Sequence, residues 1–241
     1  HIGGFTPFNF DVTDLLKDGE NFVIVKVDNK RHAEDVPTQI FDWWNYGGIT
    51  RDVMLVSVAP TYVESYQLRL GPSTGSATAR PSKGHGPSTS SGTVVFSAKL
   101  NKAEAGQKIT LRIPELKINQ QVTTGEDGTA SITLKAKPKL WSPEIPKLYQ
   151  VEILQGEETI TDEIGFRTIE TRGKQILLNG QPIFLKGISI HEEKAFGGGR
   201  ANSTDDAHTL LSWAKELGCN FVRLAHYPHN EYAIREAERM G

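Results

Sequence analysis

The chain has 241 residues, with 27 Lys and Arg against 29 Asp and Glu for a formal net charge of −2, which argues against a protein held to nucleic acid by phosphate attraction. With 37% hydrophobic and 23% charged residues it is able to bury a core, and at roughly 100 to 200 residues per domain its length allows one to three domains. No apolar run reaches the ~18 residues of a membrane span, and the lone cysteine, Cys219, excludes an internal disulfide and a thiolate zinc site.

The opening residues HIGGFTPFNF carry neither a charged nor an apolar leader pattern, so the compartment stays open. Residues 22–28 form a β-branched run behind the turn signal of residues 17–21, and residues 53–58 form a second run stopped by Pro60. Both are predicted as strands of a sandwich over residues 1–60, whose earlier strands are expected to precede the chain. Between them, Phe41, Trp43, Trp44 and Tyr46 surround Asp42 and the pair Gly47-Gly48 with a period too irregular for strand or helix, which predicts a shaped loop.

Residues 61–163 form a second β block. Strands are predicted at residues 62–70, 93–100, 108–113, 130–135 and 149–154, with turn residues between them, as in an immunoglobulin-like sandwich. Residues 71–92, rich in Ser, Gly, Thr and Pro, interrupt the block as a long surface loop. From residue 164 the period changes. Asn179-Gly180 joins two short apolar strands as a hairpin, and residues 186–191 form a further strand. Ala207, Leu210, Leu211, Ala214 and Leu217 mark a helix stopped at Gly218. Residues 220–224 form a buried strand and residues 231–240 a last helix. Strand, helix, strand, helix is the start of an alternating parallel architecture, but an eight-fold barrel takes about 250 residues, so residues 164–241 are expected to hold only its first two βα units.

The densest chemical signal is Arg223-Leu224-Ala225-His226-Tyr227-Pro228-His229, at the carboxyl end of a predicted barrel strand, the end that faces the active site in barrel enzymes. A guanidinium there is able to orient a carboxylate, and a histidine to donate to a sugar hydroxyl. A structural ion pair for Arg223 and a helix cap at His226 are the alternative. His191-Glu192-Glu193 falls at the end of the preceding strand and so on the same rim, or else begins a polar loop. Two adjacent carboxylates on one loop do not flank a bond from opposite sides, so no acid and nucleophile pair is assigned. His191, His226 and His229 form no local ligand motif, and no metal is expected. Asp42 with Trp43, Trp44 and Tyr46 offers the aromatic face and carboxylate that carbohydrate recognition uses, although core aromatics and a turn-capping Asp42 fit the same residues.

These segments resemble glycoside hydrolase family 2, the β-galactosidases, β-glucuronidases and β-mannosidases. The resemblance runs through Gly4-Phe5-Thr6-Pro7-Phe8, Phe10-Asp11-Val12-Thr13, Trp43-Trp44-Asn45-Tyr46-Gly47-Gly48-Ile49-Thr50-Arg51-Asp52-Val53, Leu140-Trp141-Ser142-Pro143-Glu144, Gly165-Phe166-Arg167, Leu178-Asn179-Gly180-Gln181-Pro182 and Asn220 to Pro228. It implies a jelly-roll sugar-binding domain, an immunoglobulin-like domain and the start of a catalytic (β/α)8 barrel. It implies truncation at both ends. The family's acid/base glutamate follows the fourth barrel strand and its nucleophile ends the seventh, so neither would lie in this chain, which alone is expected to be inactive.

Carried over residue by residue, Asp42 resembles the carboxylate that the sandwich domain extends into the sugar pocket, and His191 the histidine after the first barrel strand. Arg223 resembles the arginine that orients the nucleophile, an electrostatic role. Trp43, Tyr46, His226 and Tyr227 are expected to line the pocket. Where some members carry a basic residue before that histidine, this chain has Ile190. The Trp43-Trp44 pair is closer to the glucuronidase-like and bacterial galactosidase-like branches. The implied parent is a retaining exo-β-glycosidase, a homo-oligomer with a carbohydrate substrate, no cofactor, and no nucleic-acid or membrane partner. A non-catalytic carbohydrate-binding or adhesion module of β-sandwiches is the alternative reading.

Overall fold

The computed structural model describes residues 1–35, 39–44, 46–71 and 92–241. The chain divides into two compact units, one of Leu55–Leu185 with Ala237–Gly241 and one of His1–Met54 with Lys186–Glu236. The loop expected over residues 71–92 lies, apart from its end residues, outside the described residues.

In the first of these units, seven strands among the described residues build two antiparallel sheets. They are β1 (Val63–Leu70), β2 (Thr93–Leu100), β3 (Lys108–Ile113), β4 (Ile118–Thr123), β5 (Thr129–Lys135), β6 (Tyr149–Gln155) and β7 (Glu158–Ile164). The sheets have orders β1-β2-β5 and β4-β3-β6-β7, so the chain changes sheet between β2 and β3, β4 and β5, and β5 and β6. This is the connectivity of an immunoglobulin-like sandwich. Alternation in the sequence drives it: Val94, Phe96, Ala98 and Leu100 of β2, Ile109, Leu111 and Ile113 of β3, and Val151 and Ile153 of β6 all turn into one core and are at most 2% exposed. Tyr149 closes the end of this core with its ring edge on Phe166, 5.6 Å between centroids, while its hydroxyl accepts the Lys139 N–H at 2.8 Å.

Strands β4 and β7 escape the periodicity argument because their polar residues erase the alternation. Asn119, Gln120 and Gln121 of β4 are exposed, and only Ile118 and Val122 face inward. A further sheet, β8 (Ile169–Arg172), β9 (Gln175–Leu178) and β10 (Gln181–Pro182), has β9 in the middle. Its β9–β10 turn is the expected Asn-Gly hairpin: Asn179 and Gly180 both have positive φ, +54° and +75°, as a type I′ turn requires. The motif residues nearby are structural. Asn179 donates to the Trp141 carbonyl (2.9 Å) and accepts the Thr168 N–H (3.0 Å). Trp141 donates to the Glu238 carbonyl (2.7 Å) and lies under the Arg167 guanidinium, which pairs with the Glu238 carboxylate at 2.6 Å.

The unit of His1–Met54 and Lys186–Glu236 contains β11 (Gly187–Ile190), α1 (Thr204–Glu216), β12 (Phe221–Leu224) and most of α2 (Glu231–Met240). The order is the alternation expected from the sequence, with β11 and β12 parallel. Ser203 caps α1, accepting the Asp206 N–H at 3.1 Å, and Ala207, Leu211 and Ala214 form its buried stripe. Leu217 falls outside that stripe, 71% exposed, where the helix gives way to Gly218 at φ +76°.

The strands predicted at residues 22–28 and 53–58 are not formed. Phe22, Val23 and Ile24 are 84%, 83% and 92% exposed, and Met54 and Leu55 are each 76% exposed. A β-branched run becomes a strand only against a ladder partner, and among the described residues none pairs with either segment. No helix among the described residues is long and apolar enough to cross a membrane.

Candidate functional site

The register of the two parallel strands determines what meets at their carboxyl ends. Gly187 faces Phe221 and Ile190 faces Leu224, and the ladder continues through the Ala225 N–H to the Ile190 carbonyl at 2.9 Å. Asn220 pins the other end, its side chain accepting the Lys186 N–H at 2.8 Å. Gly187 allows the close approach: a Cβ there would lie 2.6 Å from the Phe221 carbonyl oxygen. The residues that leave the two strands, His191 on one side and His226-Tyr227 on the other, therefore emerge next to each other, at the end of a parallel sheet where ligands bind.

Trp43 joins them from the N-terminal segment. Its ring centroid is 4.9 Å from His226, 6.1 Å from His191 and 6.4 Å from Tyr227. His191 stands edge-on to His226 at 5.3 Å and to Tyr227 at 6.0 Å. Arg223 Nη2 lies 3.1 Å from His226 Nδ1, within hydrogen-bond distance. Trp43 Nε1 and His191 Nδ1 are buried and have no hydrogen-bond partner among the described residues. A buried donor left unmatched costs about 1–3 kcal/mol, so a ligand oxygen is the natural partner for the Trp43 N–H.

Four of the residues singled out from the sequence, Trp43, His191, His226 and Tyr227, thus form one cluster, and Arg223 touches it through His226. Asp42 is exposed, one residue from Trp43, with no hydrogen-bond or ion-pair partner among the described residues. Tyr46 borders the cluster through Arg200, its ring 5.1 Å from the guanidinium that also packs on Tyr227. Trp44 is 72% exposed and stays out of the cluster.

Sequence reasoning missed the charged group behind this cluster. Glu192 is 2% exposed, and Arg51 Nη2 donates to its Oε1 and Oε2 at 3.0 and 2.9 Å. The Asn230 N–H also donates to Oε1, and Arg200 Nη1 is 3.8 Å from Oε2. Arg51 reaches further, donating to the carbonyls of Phe5 and Pro228, each at 2.6 Å. The Arg200 guanidinium lies against three rings, 4.6 Å from Tyr227, 5.1 Å from Tyr46 and 5.4 Å from Phe5, and Phe5 stacks on Tyr227 at 4.4 Å. Of the two carboxylates weighed from the sequence, Glu192 is therefore engaged in ion pairs and is not free for proton transfer. The available signal was an arginine, Arg51, just behind Gly47-Gly48-Ile49-Thr50, and a lone Arg200 after three glycines.

Burial holds two further groups away from their usual titration. The Tyr227 hydroxyl is pushed up, mainly by desolvation, against the opposing pull of Arg200. His229 is pushed down, again mainly by desolvation, and lies 3.0 Å from the Ala225 carbonyl as a neutral donor would.

Three domain models of one family match the chain in order: the sugar binding domain of glycosyl hydrolases family 2 at residues 1–59, glycosyl hydrolases family 2 at residues 85–167, and the family's TIM barrel domain at residues 169–241. A putative β-glucuronidase of Formosa agariphila is 29% identical over 100% of this chain and 29% of its own length. A β-galactosidase of Clostridium acetobutylicum is 30% identical over 98% of this chain and 26% of its own. The apo structure of Bacteroides uniformis β-glucuronidase 3 aligns with a TM-score of 0.69 at 25% identity, over 89% of this chain and 26% of that one. The chain thus spans under a third of the length of these relatives. With sugar-binding, central and barrel segments all matched along its length, the chain belongs to glycosyl hydrolases family 2.

Proposed function

We propose that the chain is the sugar-binding and barrel-opening part of a retaining exo-β-glycosidase that removes terminal β-linked sugars, galactosides or glucuronides. The observation that carries this reading is the meeting of Trp43 with His191 and His226, an aromatic face beside two imidazoles at the carboxyl ends of parallel strands. Matched relatives named β-galactosidase and β-glucuronidase support the reaction class. Three domains are proposed, residues 1–60, 61–163 and 164–241.

In this reading Trp43 covers the C–H side of the pyranose and Asp42 accepts hydrogen bonds from its hydroxyls. His191 and His226 contact the sugar hydroxyls, with Tyr46 and Tyr227 in supporting positions. Arg223 orients the nucleophile electrostatically and moves no proton. One glutamate attacks the anomeric carbon as the other protonates the departing oxygen; water then releases the sugar with retained configuration. Both glutamates are proposed to lie beyond residue 241, so residues 1–241 alone turn over no substrate. No cofactor takes part.

The test is hydrolysis of nitrophenyl β-galactoside and β-glucuronide by the full-length protein, with NMR of the first-formed sugar. One of the two is expected to be cleaved with the β anomer appearing first. Absence of turnover on both, first release of the α anomer, or turnover by residues 1–241 alone would overturn the reading.

A further inference from the structure

Glu192 occupies a place in this unit that neither sugar contact nor proton transfer explains. Its carboxylate receives only donors: Arg51 Nη2 on both oxygens, the Asn230 N–H on Oε1 and Arg200 Nη1 facing Oε2. A carboxylate, whose oxygens accept, satisfies the Arg51 and Asn230 donors, while Arg200 Nη1 faces Oε2 at 3.8 Å as a charge and without a hydrogen bond. At 2% exposure its charge is tolerable only because two guanidiniums face it.

The group is tied on every side to the cluster that contains Trp43. Glu192 follows His191 in the chain, and its own N–H donates to the Tyr227 hydroxyl at 3.3 Å. Asn230 and Pro228, the second held by Arg51 at 2.6 Å, belong to the turn that carries His226 and Tyr227. Arg51 also holds the Phe5 carbonyl, and the Phe5 ring stacks on Tyr227. Arg200 packs against the Tyr227 ring at 4.6 Å.

We propose that Glu192, clamped by Arg51 and Arg200, is a positioning residue that sets the relative placement of His191 and of the turn 226–230. The proposal rests on the glycosidase reading and adds to it a residue that never meets the substrate. Glu192→Gln keeps the shape but turns an amide NH2 against a guanidinium, donor against donor, and so releases the clamp. A displacement on the order of 1 Å in a pocket of this kind costs about 100-fold in rate.

The experiment compares the full-length protein with its Glu192→Gln and Glu193→Gln variants on the nitrophenyl β-glycoside that the parent cleaves. Rates are normalised to active sites counted with a fluorinated mechanism-based titrant, and the imidazole nitrogen NMR shifts of His191 and His226 are recorded. For Glu192→Gln, kcat/KM per titrated site is expected to fall about 100-fold, with both imidazole signals displaced. Glu193→Gln, the neighbouring carboxylate, is expected to stay within about twofold. The double variant Glu192→Gln/Arg51→Lys is expected to fall no further than the worse single one, as members of one unit do.

Unchanged kcat/KM per titrated site in Glu192→Gln overturns the proposal. So does a loss confined to the number of titratable sites, since that marks a role in folding alone. If Glu192→Gln yields no folded protein, Arg51→Lys carries the same comparison. A parent with no turnover at all sinks the glycosidase reading instead; the imidazole shifts then still decide whether the clamp positions the two histidines.

Discussion

Arg51 and Glu192, 141 positions apart in the chain, meet through two hydrogen bonds of 3.0 and 2.9 Å from one guanidinium nitrogen. The carboxylate is 2% exposed and the arginine 22%. Breaking such a pair from one side strands a charge away from water, whereas replacing both partners by apolar groups need not. Arg51→Met is expected to destabilise the protein by about 3–5 kcal/mol in denaturant unfolding, and Arg51→Met/Glu192→Met by less than that single variant. A double variant at least as unstable as the single one would contradict the assignment of a buried, mutually neutralising pair.

Protons test the same region. His229 is held below its usual value by burial, so the native state binds fewer protons than the unfolded chain as pH falls through about 6.5. The stability it contributes is present above that pH and lost as pH drops toward the folded value. Thermal unfolding followed from pH 7.5 to 5 is expected to show a falling Tm whose slope shrinks in His229→Gln, where the amide is able to keep the donor to Ala225. An identical slope in the variant would assign the acid sensitivity to other groups. Tyr227 gives the mirror case, with stability lost only as pH rises above about 10.

Gly165 stands where backbone approaches side chain. A Cβ on Gly165 would lie 2.8 Å from Trp141 Cδ1 and 3.1 Å from Glu238 Oε1, in the joint that Trp141, Arg167 and Glu238 build. Gly165→Ala is expected to cost about 1–3 kcal/mol by overpacking, measured by denaturant unfolding. A neutral result would show that Trp141 moves aside without loss.

The immunoglobulin-like core offers a calibration. Leu111 in the middle of β3 is fully buried among Phe96, Ile109 and Ile153 of the same cluster, and Leu111→Ala is expected to cost about 2–5 kcal/mol. A cost below ~1 kcal/mol would mean that the two sheets collapse onto the gap.

These contrasts show why parts of the molecule were legible in the sequence. Strands β2 and β3 announce themselves because every second residue is apolar, whereas β4, with Asn119-Gln120-Gln121, and β7 carry polar residues that erase the period. Asn179-Gly180 reads correctly because the backbone demands positive φ at both positions. Residues 22–28 and 53–58 misled because β-branched composition states what a strand needs and not whether its partner is present. At the site, His191, Arg223 and His226 were placed by following strand ends. Glu192 and Arg200 were missed because their partners, Arg51, Phe5 and Tyr46, come from the far end of the chain, and no local pattern encodes a contact between residues 141 positions apart.

The central claim, that the ends of β11 and β12 with Trp43 form the wall of a glycosidase pocket, is tested most directly by kcat of the full-length protein carrying Arg223→Ala on its nitrophenyl β-glycoside. Loss of a preorganised donor beside the nucleophile predicts a fall of about 100-fold or more, with the number of folded molecules unchanged. A kcat equal to that of the parent would place the chemistry elsewhere and contradict the account.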